Sequence, residues 1–453
     1  MHPLENRSMF QAPCSAGWQP AADWQSANSR KALLLFLIAC APIIAQTTAF
    51  SPAQVDTVFP ASQALYMDLH ANPELAFQET QTAAKLAARM KALGYDVTTG
   101  VGKTGLVCLL KNGPGPTVMF RTELDALPVD EKTGLPFASK TPHVMHACGH
   151  DLHMAAWIGT ARLMAENKDA WRGTLMMIGQ PAEEGGAGAK AMLADGLFTR
   201  FPKPDFALSL HDDDTMPSGQ IGYHPGPFRA MSDGVTITLY GRGGHAAMPM
   251  NTIDPVVMAA RAVLALQTIV SRENNPVDPV VVTVGSIHGG TAGNVIPDEV
   301  TLQLSVRTYT QEVRKRVMAA IERITKAEAQ AAGATREPKI EIRGASANVV
   351  YNDPALTARL AAALKKAMGD ANVVEMPPKM TSEDFAEYGI AGVPSALLQI
   401  GAVPPAKLAE AKRTGIAVPA PHSPEWVPEL EPTLKAAIRA ETTELLDLFR
   451  TQQ

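Results

Sequence analysis

The sequence predicts an α/β fold, a mostly parallel sheet interrupted by a smaller ferredoxin-like α+β unit. Three observations predict it. Short apolar runs bounded by turn residues alternate with stretches of helical periodicity, the pattern of a parallel sheet with crossover helices. From about Gly226 to Gly344 the order changes to β-α-β-β-α-β, the ferredoxin-like arrangement. The chemistry-bearing residues fall where predicted strands end, and open parallel sheets collect ligands there.

Helical periodicity first covers Ser62–Leu69 and Thr80–Leu93. Strands are expected at Gly105–Lys111, Thr117–Arg121, Thr174–Gln180 and Phe206–His211, with a later one at Ser395–Ile400. Helices at Leu152–Glu166 and Ala187–Ala194 lie between them. In the middle unit, Val235–Tyr240, Val280–Ile287, Glu299–Thr308 and Lys339–Ile342 read as strands. Pro255–Ser271 and Gln311–Ala332 read as its helices. The first unit resumes near Asn348. Pro/Ala-rich Ala402–Pro421 reads as a loop. The expected boundaries are 1–49 for an export region, 50–226 and 345–453 for the two parts of the larger domain, and 227–344 for the inserted one.

A chain of 453 residues is too long for one ordinary core, which agrees with two domains. It is 46% hydrophobic and 19% charged, a soluble globular composition. The net charge is only -5 and no basic run occurs, so no nucleic-acid partner is expected.

The first fifty residues read as an export signal. Arg30-Lys31 precedes the apolar run Ala32–Ala41, which is too short to span a bilayer, and small residues then lead to Ala49. Cleavage after Ala45 or Ala49, and a periplasmic or secreted product, are the expectation. The alternatives are lipidation at Cys40 or a retained N-terminal anchor, the two cases in which a membrane would be a partner. Met9 is an alternative start. Of four cysteines, Cys14 and Cys40 lie in this region. Cys108 sits in an apolar run and reads as an inert core residue. A Cys108–Cys148 disulfide is an alternative to a ligand role for Cys148.

The most informative stretch is Val144-Met-His-Ala-Cys-Gly-His-Asp-Leu-His153. It sets a thiol, Cys148, two residues before an imidazole, His150, on a Gly-containing turn. Gln180-Pro-Ala-Glu-Glu-Gly-Gly186 follows with adjacent carboxylates. Thiolate, imidazole and carboxylate together suit a transition metal. Glu184 is assigned as the third ligand. Glu183 is left as a general base, which metal-assisted hydrolysis needs. Two adjacent carboxylates can be mere solvated charge, but a loop lets neighbouring side chains take different tasks. His211 ends an apolar strand and is assigned on the strength of the others. His422, in Pro421-His-Ser-Pro424, carries no reading alone. Asp125, beyond a strand, is expected to orient His150 from behind; an Asx turn before Pro128 is the alternative. His143, His146 and His153 are surplus. His245 and Asn294 fall in Gly-rich loops of the inserted unit and Arg307 on one of its strands. A histidine, an amide and a guanidinium can grip an oxyanion and a carboxylate.

The stretches RTELDALP (121–128), HACGHDLH (146–153), QPAEEGG (180–186), GRGGHAAMP (241–249), HGGTAGNVIPD (288–298) and TSEDFAEY (381–388) resemble the amidohydrolase branch of the aminoacylase/carboxypeptidase metallopeptidases. That branch includes hippurate, N-acyl-amino-acid and indole-acetyl-amino-acid hydrolases. The motifs run in family order from about residue 60 to 425. The resemblance implies a di-metal catalytic domain with a dimerisation (lid) domain inserted. It implies two divalent ions, with Cys148 bridging, His150 and His211 on one, and Glu184 and His422 on the other. Zinc or manganese is expected, with cobalt as a further candidate. Glu183 would be base and proton shuttle toward metal-bound water. His245 would complete the partner subunit's site in a homodimer, and Asn294 and Arg307 would contact the substrate carboxylate. The chain departs from the family at Glu123, where Asp is frequent, at Trp426, where Phe is common, and in a longer loop before His422.

The expected function is hydrolysis of the amide bond of an N-acyl amino acid or peptide-like small molecule. The alternatives are a metallo-carboxypeptidase or dipeptidase on the same scaffold, or an exported binding protein without turnover.

Overall fold

The computed structural model describes residues 49–450, the side chains of 344–346 excepted. The export-signal reading, with Cys14 and Cys40, therefore lies outside the described residues apart from Ala49.

An eight-stranded sheet carries the larger unit. Its order is Asp96–Val101, Gly105–Asn112, Gly173–Gln180, Thr117–Glu123, Phe206–Pro217, Ser395–Val403, Ile221–Tyr223, Val373–Glu375. The four central strands, Gly173–Gln180 through Ser395–Val403, are mutually parallel. Antiparallel pairing begins only outside them. Central parallel strands are covered on both faces and read as unbroken apolar runs. Ser395–Val403 is buried at all nine positions. Each fully buried Leu or Ile there contributes roughly 1.5–3 kcal/mol.

Helices Pro52–Ala71, His150–Glu166 and Leu430–Leu448 pack together and onto this sheet. Pro52–Ala71 starts with a capping box, Ser51 accepting from Gln54 N–H while the Gln54 side chain accepts from Ser51 N–H. It begins ten residues before the periodicity shows, because Pro60 and exposed polar positions blur the apolar stripe.

The inserted unit is a four-stranded antiparallel sheet in the order Val280–His288, Glu299–Thr308, Met231–Tyr240, Lys339–Ala347. Helices Pro255–Thr268 and Gln311–Ala331 pack against it. With connectivity β-α-β-β-α-β this is the ferredoxin-like arrangement expected from the sequence. It has its own core, centred on Ile237, Leu239, Met258, Leu266, Leu302 and Val306.

Two local expectations are corrected, and one alternative falls away. Residues 402–421 are not a plain loop, since Pro405–Thr414 is helical with none of its residues buried. The strand holding His211 does not end there but runs on to Pro217, with Asp212 and Asp213 buried in it. Cys108 and Cys148 are both free thiols, so no disulfide joins them.

Candidate active site

The site lies beyond the carboxyl ends of the central strands. Gly149 makes it approachable. Its φ is +75°, and a Cβ there would lie 2.2 Å from Asp212 Oδ2. Only glycine fits, and it starts helix His150–Glu166 with Cys148 just outside and His150 on the first turn. The acidic loop is shaped from beneath. Ala182 has φ +49°, and its N–H donates to the buried Glu79 carboxylate at 2.8 Å.

Asp125 holds this loop to the helix. Its carboxylate accepts from Glu183 N–H at 3.1 Å and Glu184 N–H at 3.0 Å. His150 Nδ1–H donates to the Asp125 backbone carbonyl at 2.8 Å, while the carboxylate is 3.6 Å away. The expectation that the Asp125 carboxylate orients His150 is therefore corrected: the main chain does so, and the side chain shapes the Glu183-Glu184 loop instead.

Cys148, His150 and His211 bring ligand atoms within 4.8 Å of one another, and so do Cys148, Glu184 and His422. Cys148 is common to both groups. Its Sγ is 3.6 Å from His211 Nε2, and Glu184 Oε2 is 3.3 Å from His422 Nε2. His422 is held at φ +72°, with its N–H bonded to Ala147 carbonyl at 2.7 Å. Glu183 Oε2 stands 3.8 Å from His150 Nε2.

These residues fit divalent metal. His150 Nε2 and Glu184 Oε1 are buried without a hydrogen-bond partner, an expensive state unless a ligand meets them. Burial lowers the His150 imidazole, but the Asp125, Glu123 and Glu184 carboxylates outweigh it and push it to about 10. The place attracts a cation. Burial, then neighbouring carboxylates, push the Cys148 thiol well above its usual range, so a thiolate there needs a positive charge beside it. Burial raises the Glu184 carboxyl to about 7. Burial and the Glu383, Glu184 and Asp384 carboxylates raise Glu183 well above the carboxylate range. A group poised this high can both take and return a proton.

His153 is not part of either ligand group around Cys148. Its Nδ1 faces Glu123 at 3.1 Å and its Nε2 accepts from Asp212 N–H at 2.9 Å. Both ring nitrogens are spent. His143 is exposed beside Asp130, and His146 is buried with neither nitrogen bonded.

A cleft of about 490 Å³ opens from the ligand cluster. Cys148, Glu183, Glu184, His211 and His422 line it, and so does Arg307 from the inserted unit. His245 and Asn294 do not line it within the same chain. Nor do they sit in free loops, because Gly244–His245 pairs with Val295–Ile296, with Ala246 N–H donating to Asn294 carbonyl at 3.1 Å. The ladder presents His245 and Asn294 together on an exposed surface.

Sequence reasoning missed the layer behind the cluster. Arg121 is fully buried, pairing with Glu123, with Glu383 at 2.7 Å and with Asp384 at 3.1 Å. Gln180 and Tyr388 join this network. The visible signals were an arginine inside an apolar strand and the stretch 381–388. Trp426 is also buried, its indole N–H donating to Asp212 at 3.1 Å. It braces the strand that bears His211.

The comparisons agree with this geometry. Residues 119–413 match peptidase family M20/M25/M40. The chain is 37% identical over 340 residues to an N-acetyl-L-cysteine deacetylase of Bacillus subtilis, covering 75% of this chain and 80% of the relative. It is 39% identical over 326 residues to a hippurate hydrolase of Campylobacter jejuni, covering 71% and 82%. Among solved structures it resembles a dinuclear metal-binding M20 peptidase of Bacillus subtilis with a TM-score of 0.70 and 28% identity, over 86% of this chain and 98% of that one. The chain belongs to peptidase family M20/M25/M40.

Proposed function

We propose that this chain hydrolyses the amide bond of N-acyl amino acids, releasing a carboxylic acid and an amino acid. The observation that carries the reading is Glu183. It is a buried, high-pKa carboxylate 3.8 Å from a ligand imidazole whose bare nitrogen faces the same cluster.

Cys148, His150, His211, Glu184 and His422 would hold two divalent ions, with Cys148 shared. Such ions, when bound, supply Lewis acidity that polarises a carbonyl and makes water a ready nucleophile at neutral pH. The donor set suits zinc, and its imidazoles and carboxylates admit manganese or cobalt. Glu183 Oε takes the proton of the attacking water and returns it to the leaving nitrogen. Arg307, in the cleft wall, holds the substrate's α-carboxylate.

His245 and Asn294 serve a neighbouring subunit's cleft in a homodimer. Two features support this. The ladder bearing them is exposed and separate from its own chain's cleft. The inserted unit also leaves apolar side chains outside, with Leu264 72%, Val257 57%, Met250 78% and Val295 52% exposed, beside an unpaired edge strand, Val280–His288. Such an edge and face call for a partner. Arg30-Lys31 and the apolar run after it support export to the periplasm or medium.

The test is a hydrolysis panel of N-acetyl amino acids, hippurate, indole-acetyl amino acids and dipeptides. Chelator-stripped enzyme would be loaded in turn with zinc, manganese and cobalt. Amino-acid release from the acylated substrates is expected. Cleavage of dipeptides alone, or of nothing, contradicts the reading.

A further inference from the structure

Two guanidiniums in the cleft wall meet no counter-ion among the described residues. Arg229 is only 6% exposed, and its charge meets neutral groups: Thr381 Oγ1 at one Nη, Gln399 Oε1 at the other at 2.8 Å. Its buried Nε has no hydrogen-bond partner. Arg307 donates to Ser382 Oγ at 2.7 Å. The two are neighbours through adjacent Thr381 and Ser382. Arg307 also pairs in register with Ser232, three residues beyond Arg229. Among the described residues neither has a carboxylate within ion-pair distance. The nearby acids are engaged elsewhere, Glu383 and Asp384 with Arg121, Asp213 and Asp214 with Lys379, Asp233 with Arg314, and Glu184 with His422.

Burying a charge against neutral partners is costly, and an anion in the cleft would offset it. One guanidinium suffices for the α-carboxylate of an amino acid, and Arg307 takes it on the reading above. We propose that Arg229 is a specificity-determining residue that receives a second carboxylate, so that the preferred substrates are dicarboxylic N-acyl amino acids. The second carboxylate belongs either to the side chain of an acidic amino acid or to the far end of a dicarboxylic acyl group. Both present the same chemistry to a planar, always-charged fork. The inference rests on the amide-hydrolase reading.

The test uses two pairs of near-isosteres on the metal-loaded, full chain. N-acetyl-L-glutamate against N-acetyl-L-glutamine probes the amino-acid side. N-succinyl-L-alanine against its terminal amide probes the acyl side. In at least one pair the acid should be preferred about 30-fold or more in kcat/KM, chiefly through KM. That preference should collapse toward unity in Arg229→Gln and partly return in Arg229→Lys. Calorimetry of the wild type with L-glutamate against L-glutamine, and with succinate against its monoamide, gives a second measure that needs no variant. Tighter binding of the dicarboxylate in the preferred pair is expected. Equal use of acid and amide in both pairs overturns the inference while leaving amide hydrolysis intact. So does a preference that Arg229→Gln leaves unchanged. Hydrolysis of no N-acyl amino acid at all overturns the underlying reading as well.

Discussion

His150 donates its Nδ1–H to the backbone carbonyl of Asp125 at 2.8 Å, which fixes the ring and leaves Nε2 bare toward Cys148, Glu183 and Glu184. The same Asp125 accepts the amide hydrogens of Glu183 and Glu184 with its side chain. One residue thus sets the His150 imidazole with its main chain and the paired carboxylates with its carboxylate. Asp125→Ala keeps the first and loses the second. It should leave two amide donors unpaired, lower stability by roughly 1–3 kcal/mol and weaken metal retention. Calorimetric unfolding and metal content after dialysis check this, and unchanged metal retention would deny the side chain its role.

Cys148→Ser should weaken metal binding and activity together. A thiol that meets a metal releases its proton to solvent and binds as thiolate, whereas an alcohol here would stay protonated. Chelator should inactivate the wild type, and a divalent ion should restore it. Competition with a chromogenic chelator reads the affinity directly.

Glu183→Gln and His245→Ala should complement each other. Each homodimer is expected to be nearly inactive. In a mixed dimer one cleft lacks both groups and the other has both. Random reassociation makes about half the dimers mixed, so ~25% of wild-type activity should return. Mass-tagged subunits would verify exchange. Activity that stays at the parental level despite exchange would confine His245 to its own chain.

Glu441 gives a pH dependence separate from catalysis. Burial raises its carboxyl to about 8, against a hydrogen bond from Thr160 at 2.7 Å that lowers it. A carboxyl raised on folding favours the folded state at low pH. That contribution is present below its unfolded value, near 4.5, and is lost as pH rises toward 8. Glu441→Gln keeps the shape and removes the titration. It should match the wild type at pH 4.5 and melt roughly 5 °C higher at pH 8. Equal melting temperatures at both pH values would contradict the account.

Much of this molecule was legible because burial and pattern coincide. The central strands are covered on both faces, so their apolar runs are unbroken. The stretch 146–153 concentrates its chemistry in eight residues. Other parts were hidden for physical reasons. Helix Pro405–Thr414 tucks in only Leu408, so it has no apolar period, and only Pro405 at its first turn and the left-handed Gly415 beyond its last mark it. By its apolar run alone, the strand through His211 stops where Asp212 and Asp213 begin. Those acids are buried because Trp426 and Lys379 meet them from more than 150 residues away. Arg229 likewise gains its meaning from Thr381 and Gln399, far along the chain. Long-range polar partnerships leave no period in a sequence.

The central claim is that Glu183 moves the proton beside metal held by Cys148, His150, Glu184, His211 and His422. It is tested most directly by measuring bound metal and kcat on the same preparation of Glu183→Gln. The account predicts wild-type metal content, because it gives Glu183 the proton and not the metal. It predicts a loss of kcat beyond the ~10²–10⁴ typical of a general base, because the residue serves twice in each cycle. A metal-replete Glu183→Gln protein that turns over near the wild-type rate would contradict it.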